Sequence, residues 1–355
     1  MKVKKLISII LCLCLVTGCL SIASFNAYAD DTVYTSQDGL WKYRVLADGT
    51  AEIYNSGDCA YLGNAAELVV PDGIDGHTVV ALTSFSLSSL DSVQSVSIGA
   101  NISRIEPTSI ANCPQLTVIN VDSDNESFCS FEGVLYNRNK TQLLSYPTAK
   151  PDTSFSIPEG VESVAFDAFL FCSCLESVTF PDSLKSIGGE AFAACFSLNN
   201  VVIPDNVESL GMYAFYMCES LSNVSLSESL TQLQPCTFGA CTALTEITIP
   251  SGISTIDASA FEDSAVTTII GYYDTEAESF AETKGFTFVS LDVIIPGDAN
   301  ADGVTNLSDY TTVEQYISGQ TDKLTKVQRL SADLSPDGAV DAFDLFELDK
   351  MLHSI

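Results

Sequence analysis

At 355 residues the chain is long enough for more than one domain and a sizeable core. Its charge is the unusual quantity: 46 acidic residues against 15 basic ones give −31, and with Lys2, Lys4 and Lys5 at the very start the balance beyond residue 29 is −34. A surface of that sign repels phosphate backbones and argues against nucleic acid as a partner, while it suits solubility and the binding of hard cations.

The chain opens with an export pattern. The basic tip Lys2 to Lys5 precedes the apolar run Leu6 to Val16, and Ala27-Tyr28-Ala29 places small residues where a signal peptidase reads them. A signal peptide is therefore expected over 1–29, followed by a secreted protein. The alternative lies in Val16-Thr17-Gly18-Cys19, which resembles a bacterial lipobox and would make Cys19 a lipidated N-terminus. The apolar run is too short for a membrane span, and no other segment resembles one.

Residues 30–64 read as an N-terminal β cap. Within it "DGLWKYRVLADGTAEIY", 39–55, has the alternation of a hairpin with its turn at Asp48-Gly49.

From 65 to 292 a single period governs the sequence. Cys172, Cys195, Cys218 and Cys241 are spaced by 23 residues each, and "AFLFCSCLESVTFP", "AFAACFSLNNVVIP", "AFYMCESLSNVSLS" and "TFGACTALTEITIP" align around them without a gap. Phe169, Phe192, Phe215, Phe238 and Phe261 form one column, which Ile110 and Leu87 extend upstream. Leu175, Leu198, Leu221 and Leu244 form another, and an apolar pair precedes each block, from Val161/Val164 to Ile253/Ile256. Such a period predicts a solenoid: one repeat cannot enclose a core, but stacking turns each column into continuous interior. Each repeat is expected to carry one short alternating strand, such as "ESVTFP", paired with its neighbours in a parallel sheet. The step from Ile110 to Phe169 is 59 residues, which places an insertion at about 122–150. There "FEGVLYNRNKTQLLSYP" reads as a hairpin with a polar turn from Asn137 to Lys140. "TEAESFAETKGFTFVSL", 275–291, reads as a closing helix and strand.

Nine cysteines follow residue 29, an odd number that cannot pair completely within one chain. Stacked at strand spacing, neighbouring rungs of the cysteine column approach the Cα separation of a disulfide. The favoured reading is a ladder of small buried thiols, because a bridge also needs the right side-chain geometry. Zinc is disfavoured, since no histidine accompanies the column.

The pattern "IPxxVxxIxxxAFxxCxxLxxVxIP" resembles the BspA-like leucine-rich repeat family of bacterial surface and secreted proteins, over roughly Ala65 to Leu291. The resemblance implies a leucine-rich repeat solenoid, with a hairpin cap at its N-terminal end. Leucine-rich repeats usually bind a partner on the strand face. Here the outward positions are Ser97, Asn120, Thr179, Val202, Ser225 and Thr248, beside Ser95, Val118, Ser177, Asn200, Asn223 and Glu246. They are small and polar and carry no aromatic platform for a sugar. A solvated face and a protein- or peptide-binding face both fit. Catalysis finds no anchor in motif: His77 and His353 are the only histidines, and neither lies in a triad motif. A glycosidase would need two carboxylates across a cleft.

The last sixty residues, 296–355, carry a duplicated loop. "DANADGVTNLSD" and "DLSPDGAVDAFD" present side-chain oxygen at loop positions one, three, five, nine and twelve, with glycine at six. The first set is Asp298, Asn300, Asp302, Asn306 and Asp309, with the Val304 carbonyl at position seven. The second is Asp333, Ser335, Asp337, Asp341 and Asp344, with the Ala339 carbonyl. Six or more oxygens in a flexible loop suit calcium, and the lack of cysteine or histidine argues against zinc or copper. Two loops predict two ions. Amphipathic helices are expected after each loop, with Tyr310, Val313 and Ile317 inward in one and Leu345, Leu348 and Leu352 in the other; a linking helix in "KLTKVQRLSADL" joins them.

A duplicated loop–helix without the helix that normally precedes an EF-hand loop resembles a type I dockerin. The resemblance implies a small all-α, calcium-binding fold and a cohesin module of a scaffolding protein as partner. It also carries contact positions onto Leu307, Ser308, Glu314 and Gln315 in the first half and Ala342, Phe343, Asp349 and Lys350 in the second. The two sets differ in chemistry, so a single binding orientation is expected to dominate. Together these readings describe a secreted, non-catalytic binding or adhesion module attached to a cellulosome-type scaffold. The alternatives are a glycan-active cargo enzyme of polysaccharide breakdown and a protein-binding or inhibitor module.

Overall fold

The computed structural model describes residues 32–353 apart from 56, 58 and 322. The export pattern at 1–29, with Cys19, lies outside the described residues. The chain winds into a β-solenoid of about nine turns that ends in a small helical region.

Each full turn contains two strands, not the one expected from sequence. A three-residue strand (Ser177–Thr179, then Asn200–Val202, then Asn223–Ser225) forms a parallel ladder in which Asn200 pairs with Asn223, one period away. A two-residue strand (Ser163–Val164, Ser186–Ile187, Ser209–Leu210) forms a second parallel ladder on another side. Two residues are too few to show alternation, which is why the apolar pairs did not read as strands.

A third ladder closes the corner and contains no regular strand. The Phe169 N–H donates to the Ala191 carbonyl at 2.7 Å, Phe192 to Ala214 at 2.8 Å and Phe215 to Thr237 at 2.9 Å. The corner turns through the left-handed region twice per repeat, at Asp167, Glu190, Tyr213 and Cys236 and again four residues later at Phe171, Ala194, Met217 and Ala240. None of these is glycine. The inter-turn hydrogen bonds, repeated along the stack, hold each one in a conformation that is unfavourable in isolation.

The columns fill the interior as expected. Phe169, Phe192, Phe215 and Phe238 are fully buried and stack ring on ring, with centroids 4.6, 5.2 and 5.6 Å apart along the series. Tyr146 covers one end of this ladder, at 4.9 Å from Phe169. Phe261 continues it and Phe280 of the closing helix meets Phe261 edge-on at 5.9 Å.

The cysteine column has a specific job. All nine described cysteines are free. Cys195, Cys218 and Cys241 each donate the thiol hydrogen to the carbonyl of the phenylalanine column one turn back: Phe169 at 3.1 Å, Phe192 at 3.2 Å and Phe215 at 3.2 Å. Cys113 does the same to Leu87 at 3.1 Å. The thiol thus fills a small apolar site while giving a buried carbonyl a donor.

The N-terminal cap is the expected hairpin, Lys42–Val45 against Ala51–Ile53, with Tyr34–Thr35 added at its edge. Its last strand runs parallel to His77–Leu82 and so seeds the solenoid. Glu52, fully buried, is clamped between Arg44 at 2.9 Å and Arg104 at 2.6 Å, which ties cap to first turns. The insertion is a three-stranded meander, Phe128–Phe131, Val134–Asn137 and Gln142–Ser145, one strand more than the hairpin read from sequence. Asn125, fully buried, braces its start by donating to the carbonyls of Gly99 and Ile102 at 2.8 and 2.9 Å. The closing helix Glu276–Lys284 and strand Thr287–Ser290 cover the other end.

Three helices follow: Leu307–Ile317, Lys326–Ala332 and Ala342–His353. Their core is small. Ala299, Val313, Ala332 and Leu348 are buried, with Tyr310, Leu345 and Leu352 packed on them. Ile317, expected inward, is 36% exposed because the helix ends there. Lys326 joins this region to the solenoid: its N–H donates to Asp274 at 2.6 Å, its ammonium pairs with Glu278, and it lies 4.7 Å over the ring of Tyr273.

Candidate functional site

The two acidic loops fold on one plan. Asp298 accepts from the N–H groups of Asp302 at 3.1 Å and Gly303 at 2.9 Å; Asp333 accepts from Gly338 at 2.9 Å. Gly303 and Gly338 have φ of +91° and +85°, where a side chain would be strained and glycine is not.

Position twelve is the most alike. Asp309 accepts at Oδ1 from the Asn300 N–H (2.9 Å) and at Oδ2 from the Asn306 N–H (2.8 Å). Asp344 accepts at Oδ1 from the Ser335 N–H (2.8 Å) and at Oδ2 from the Asp341 N–H (2.8 Å). Both side chains are fully buried. Burial pushes the Asp344 carboxyl up, but hydrogen bonds from Asp341, Ser335 and Leu334 outweigh it and hold it below the ordinary carboxylate value. Each of these aspartates draws the third and ninth residues of its loop onto the first turn of a helix, and for Asp309 this is a capping box with Asn306.

The other donors stand around these anchors. Asn300 donates to Asp302 at 3.0 Å, and Asn306 to the Val304 carbonyl at 3.0 Å. Asp337 accepts from the Ala339 N–H at 2.9 Å and Asp341 from the Phe343 N–H at 2.7 Å. No three Asp, Glu, His or Cys side chains are grouped as a metal cluster among the described residues. One oxygen is left over. Asp333 Oδ1 is buried with no hydrogen-bond partner. An orphaned carboxylate oxygen, in a loop whose side-chain donors are all oxygen, fits a hard cation of the calcium type.

Thr305 stands at position eight, where Val340 occupies the second loop. Its hydroxyl donates to the Pro296 carbonyl at 3.0 Å, so it fastens the loop to the point where the chain enters.

The expected docking residues lie on the outer side of the two long helices. Leu307 is 70% exposed and Phe343 71%. Ser308, Glu314, Gln315, Ala342 and Lys350 are exposed and Asp349 is half-buried. Sequence reading missed Phe346, which is 57% exposed three residues after Phe343 and carries Lys350 4.1 Å over its ring. The "FDLF" spacing was the available signal, since i and i+3 share a helix face. The second half therefore presents two aromatic rings where the first presents Ser308 and Thr311.

Elsewhere the candidates are structural. His77 Nδ1 lies 2.7 Å from the Gly49 carbonyl in the cap turn, and His353 Nδ1 2.8 Å from the Asp349 carbonyl. The outward columns of the three-residue ladder are exposed or half-exposed and small, as expected.

The sequence was compared with known families and proteins. The profile described as BspA type leucine rich repeat region matches in six copies over 74–138 and 149–268. That of the dockerin type I domain matches over 296–353. No curated protein matches. Among solved structures, a leucine-rich repeat protein from Eubacterium ventriosum is 20% identical, with 66% of this chain and 95% of that one covered and a TM-score of 0.33. The pneumococcal vaccine antigen PcpA is 14% identical, covering 74% and 99%, TM-score 0.41. The T. pallidum leucine-rich repeat protein is 20% identical, covering 70% and 95%, TM-score 0.33.

Proposed function

Since the chain belongs to the BspA-type leucine-rich repeat family and ends in a type I dockerin domain, we propose that it is an extracellular, non-catalytic binding or adhesion module held on a cellulosome-type scaffold by calcium-dependent cohesin binding. The proposed division is a signal peptide at 1–29, a β cap at 30–64, the repeat domain at 65–292 and the dockerin at 296–355.

The observation that carries this reading is the doubled loop plan, in which Asp309 and Asp344 accept matching pairs of loop amides. Two calcium ions are assigned. Asp298, Asn300, Asp302, Asn306, Asp309 and the Val304 carbonyl hold one; Asp333, Ser335, Asp337, Asp341, Asp344 and the Ala339 carbonyl hold the other. Bound calcium supplies positive charge that offsets carboxylate repulsion within each loop. The chain's own contribution is to fix the two helices so that their outer faces are rigid when a cohesin arrives.

The difference between the two halves favours Ala342, Phe343, Asp349 and Lys350 as the main contact, with Leu307, Ser308, Glu314 and Gln315 the weaker alternative face. Pull-down of the full chain on a panel of cohesins, with calcium and with chelator, tests the reading. Capture that depends on calcium and drops about thirtyfold in Phe343→Asp, the scale of a lost aromatic anchor, is expected. Capture indifferent to calcium, or equal loss in Ser308→Asp and Phe343→Asp, would overturn it. Hydrolysis of polysaccharide by the full chain would refute the non-catalytic part.

A further inference from the structure

The meander interrupts the short-strand ladder and the corner ladder together, and the break leaves backbone groups unused. In the regular turns beyond it, the Val164 carbonyl accepts from the Gly188 N–H at 2.9 Å, and the Asp167 and Phe169 N–H groups donate to Gly189 and Ala191 at 3.1 and 2.7 Å. Ile105, Thr108 and Ile110 stand 59 residues earlier, at the same three places in the turn before the break. Arg104–Ile105 pairs only with His77–Leu82 among the described residues. Alternate residues of a parallel strand point their N–H and C=O to opposite sides. Since the Glu106 N–H donates back to Leu82 at 2.9 Å, the N–H and C=O of Ile105 face onward, where no strand pairs with them. The Thr108 and Ile110 N–H groups likewise find no acceptor among the described residues.

A cavity of about 350 Å³ lies on this onward side, with Ile105, Thr108 and Ile110 on one wall and Gln142, Ser145 and Ala165 on the other. The Gln142 carboxamide and the Ser145 hydroxyl have no hydrogen-bond partner among the described residues. Both carboxylate oxygens of Asp167 are buried away from solvent, so Glu106 is the one charge at the cavity, and Arg104 and the Ser84 N–H (2.9 Å) engage it. The cavity is a slot edged by neutral donors and acceptors, set where a regular turn would supply the next rung. Unpaired backbone groups beside a packed core are costly, and an open strand edge is a template for pairing with another chain.

We propose that this slot binds an extended peptide segment of a protein partner, which takes the place of the next rung. Its carbonyls accept from the N–H groups of Ile105, Thr108 and Ile110, and one of its own N–H groups donates to the Ile105 carbonyl. Gln142 and Ser145 meet its other edge. An extended chain turns every second carbonyl to the same side, which matches the donors at Thr108 and Ile110, two residues apart. The balance of −34 beyond residue 29, with no basic side chain at the cavity, favours a basic segment over an acidic one. The inference gives the repeat domain a site and a class of partner. It does not depend on the dockerin reading, and the cohesin pull-down and the peptide test below can fail separately.

The test begins with amide hydrogen exchange on the calcium-loaded full chain. Without peptide, the Ile105, Thr108 and Ile110 amides should exchange about tenfold faster or more than those of Asp167 and Phe169, which are bonded to the next turn. The probes are acetylated, amidated pentapeptides with lysine at both ends and every combination of alanine, valine, leucine, serine and threonine between. At least one should bind by calorimetry and slow the exchange of those amides. N-methylation of its alternate amides keeps side chains and charge and should weaken it about tenfold, the scale of one lost hydrogen bond. Glutamate in place of its lysines should weaken it severalfold. Ala165→Trp, which fills the slot and leaves the donors in place, should weaken it about tenfold or more. The proposal fails if the amides before the break are as protected as Asp167 and Phe169, if no peptide binds, if the N-methylated form binds equally well, or if Ala165→Trp binds like the parent chain. Protection that grows with chain concentration in the absence of peptide would place a second copy of the chain in the slot and overturn the assignment to a partner. Circular dichroism checks that Ala165→Trp remains folded; if it does not, the exchange rates and the N-methylated peptide on the parent chain decide.

Discussion

Phe215→Leu is the substitution that isolates the stacking in the aromatic ladder. Phe215 is fully buried between Phe192 at 5.2 Å and Phe238 at 5.6 Å, and the three rings are within 5° of parallel. Leucine keeps most of the apolar burial but removes two ring–ring contacts. At roughly 0.5–1.5 kcal/mol per aromatic pair, the two contacts amount to about 1–3 kcal/mol. Alanine at the same position also leaves a cavity, and about 3–5 kcal/mol is expected. A solenoid's stability is close to a sum of units and nearest-neighbour interfaces, so a weak central rung affects both flanking turns. Phe261→Leu, one step from the end and against an edge-on partner, should cost less. Urea unfolding of the calcium-loaded chain, followed by circular dichroism, measures all three. A cost for Phe215→Leu below about half a kcal/mol, or one no greater than that of a typical surface substitution, would show that the rings are merely spaced by the repeat and contribute no stacking energy.

Chelation should melt 296–353 and spare the solenoid, because four buried residues are too small a core to hold three helices without the ions; loss of helical dichroism with the β signal retained is the expected result. Alkylation at about pH 8 should modify exposed Cys174 first and leave the column untouched until unfolding, as followed by mass spectrometry. Burial pushes the Cys195 and Cys241 thiols up to about 12 and Cys113 to about 11, so only about one thiol in ten thousand at Cys195 is ionised at that pH. The raised Asp167 carboxyl sets the sign of a pH effect: its stabilising contribution is full below the unfolded carboxylate range and is lost as pH rises through its folded value. Asp167→Asn should therefore gain stability relative to the parent chain as pH rises above the ordinary carboxylate range, and a difference that is flat with pH would refute the burial argument.

Much of this was legible because stacking copies one local solution many times. The phenylalanine and leucine columns could be read as interior without knowing the path of the chain, since a residue that recurs every 23 positions must meet its own kind. The ligand loops were legible for a related reason: oxygen donors need fixed spacing, and two copies of that spacing are hard to obtain by chance. What was not legible depended on the third dimension. The corner turns through left-handed backbone at Asp167, Glu190, Tyr213 and Cys236, side chains as unlike as a carboxylate, a phenol and a thiol, because inter-turn hydrogen bonds and not residue preference hold them there. The thiol-to-carbonyl bonds were hidden too, as they join a cysteine to a residue 26 positions earlier through backbone that any side chain could provide.

The same logic explains why the cavity sits where it does. A perfect repeat leaves no room for a binding site in its interior, because every turn fills the space of the next. Function inside a solenoid therefore needs a defect. The insertion at 128–145 supplies one: it displaces the short strand, leaves Arg104–Ile105 without an onward partner, and places Asp167 on the first regular turn beyond the break. In the next turn the equivalent position is Glu190, which packs between regular neighbours and is 3% exposed. Joining Asp122 to Tyr136 removes 13 residues and brings the step from Ile110 to Phe169 to two periods of 23, so that the ladders run on, and it should close the cavity beside Asp167. If the shortened chain is no more resistant to urea than the parent, the break in the ladder is not a packing defect.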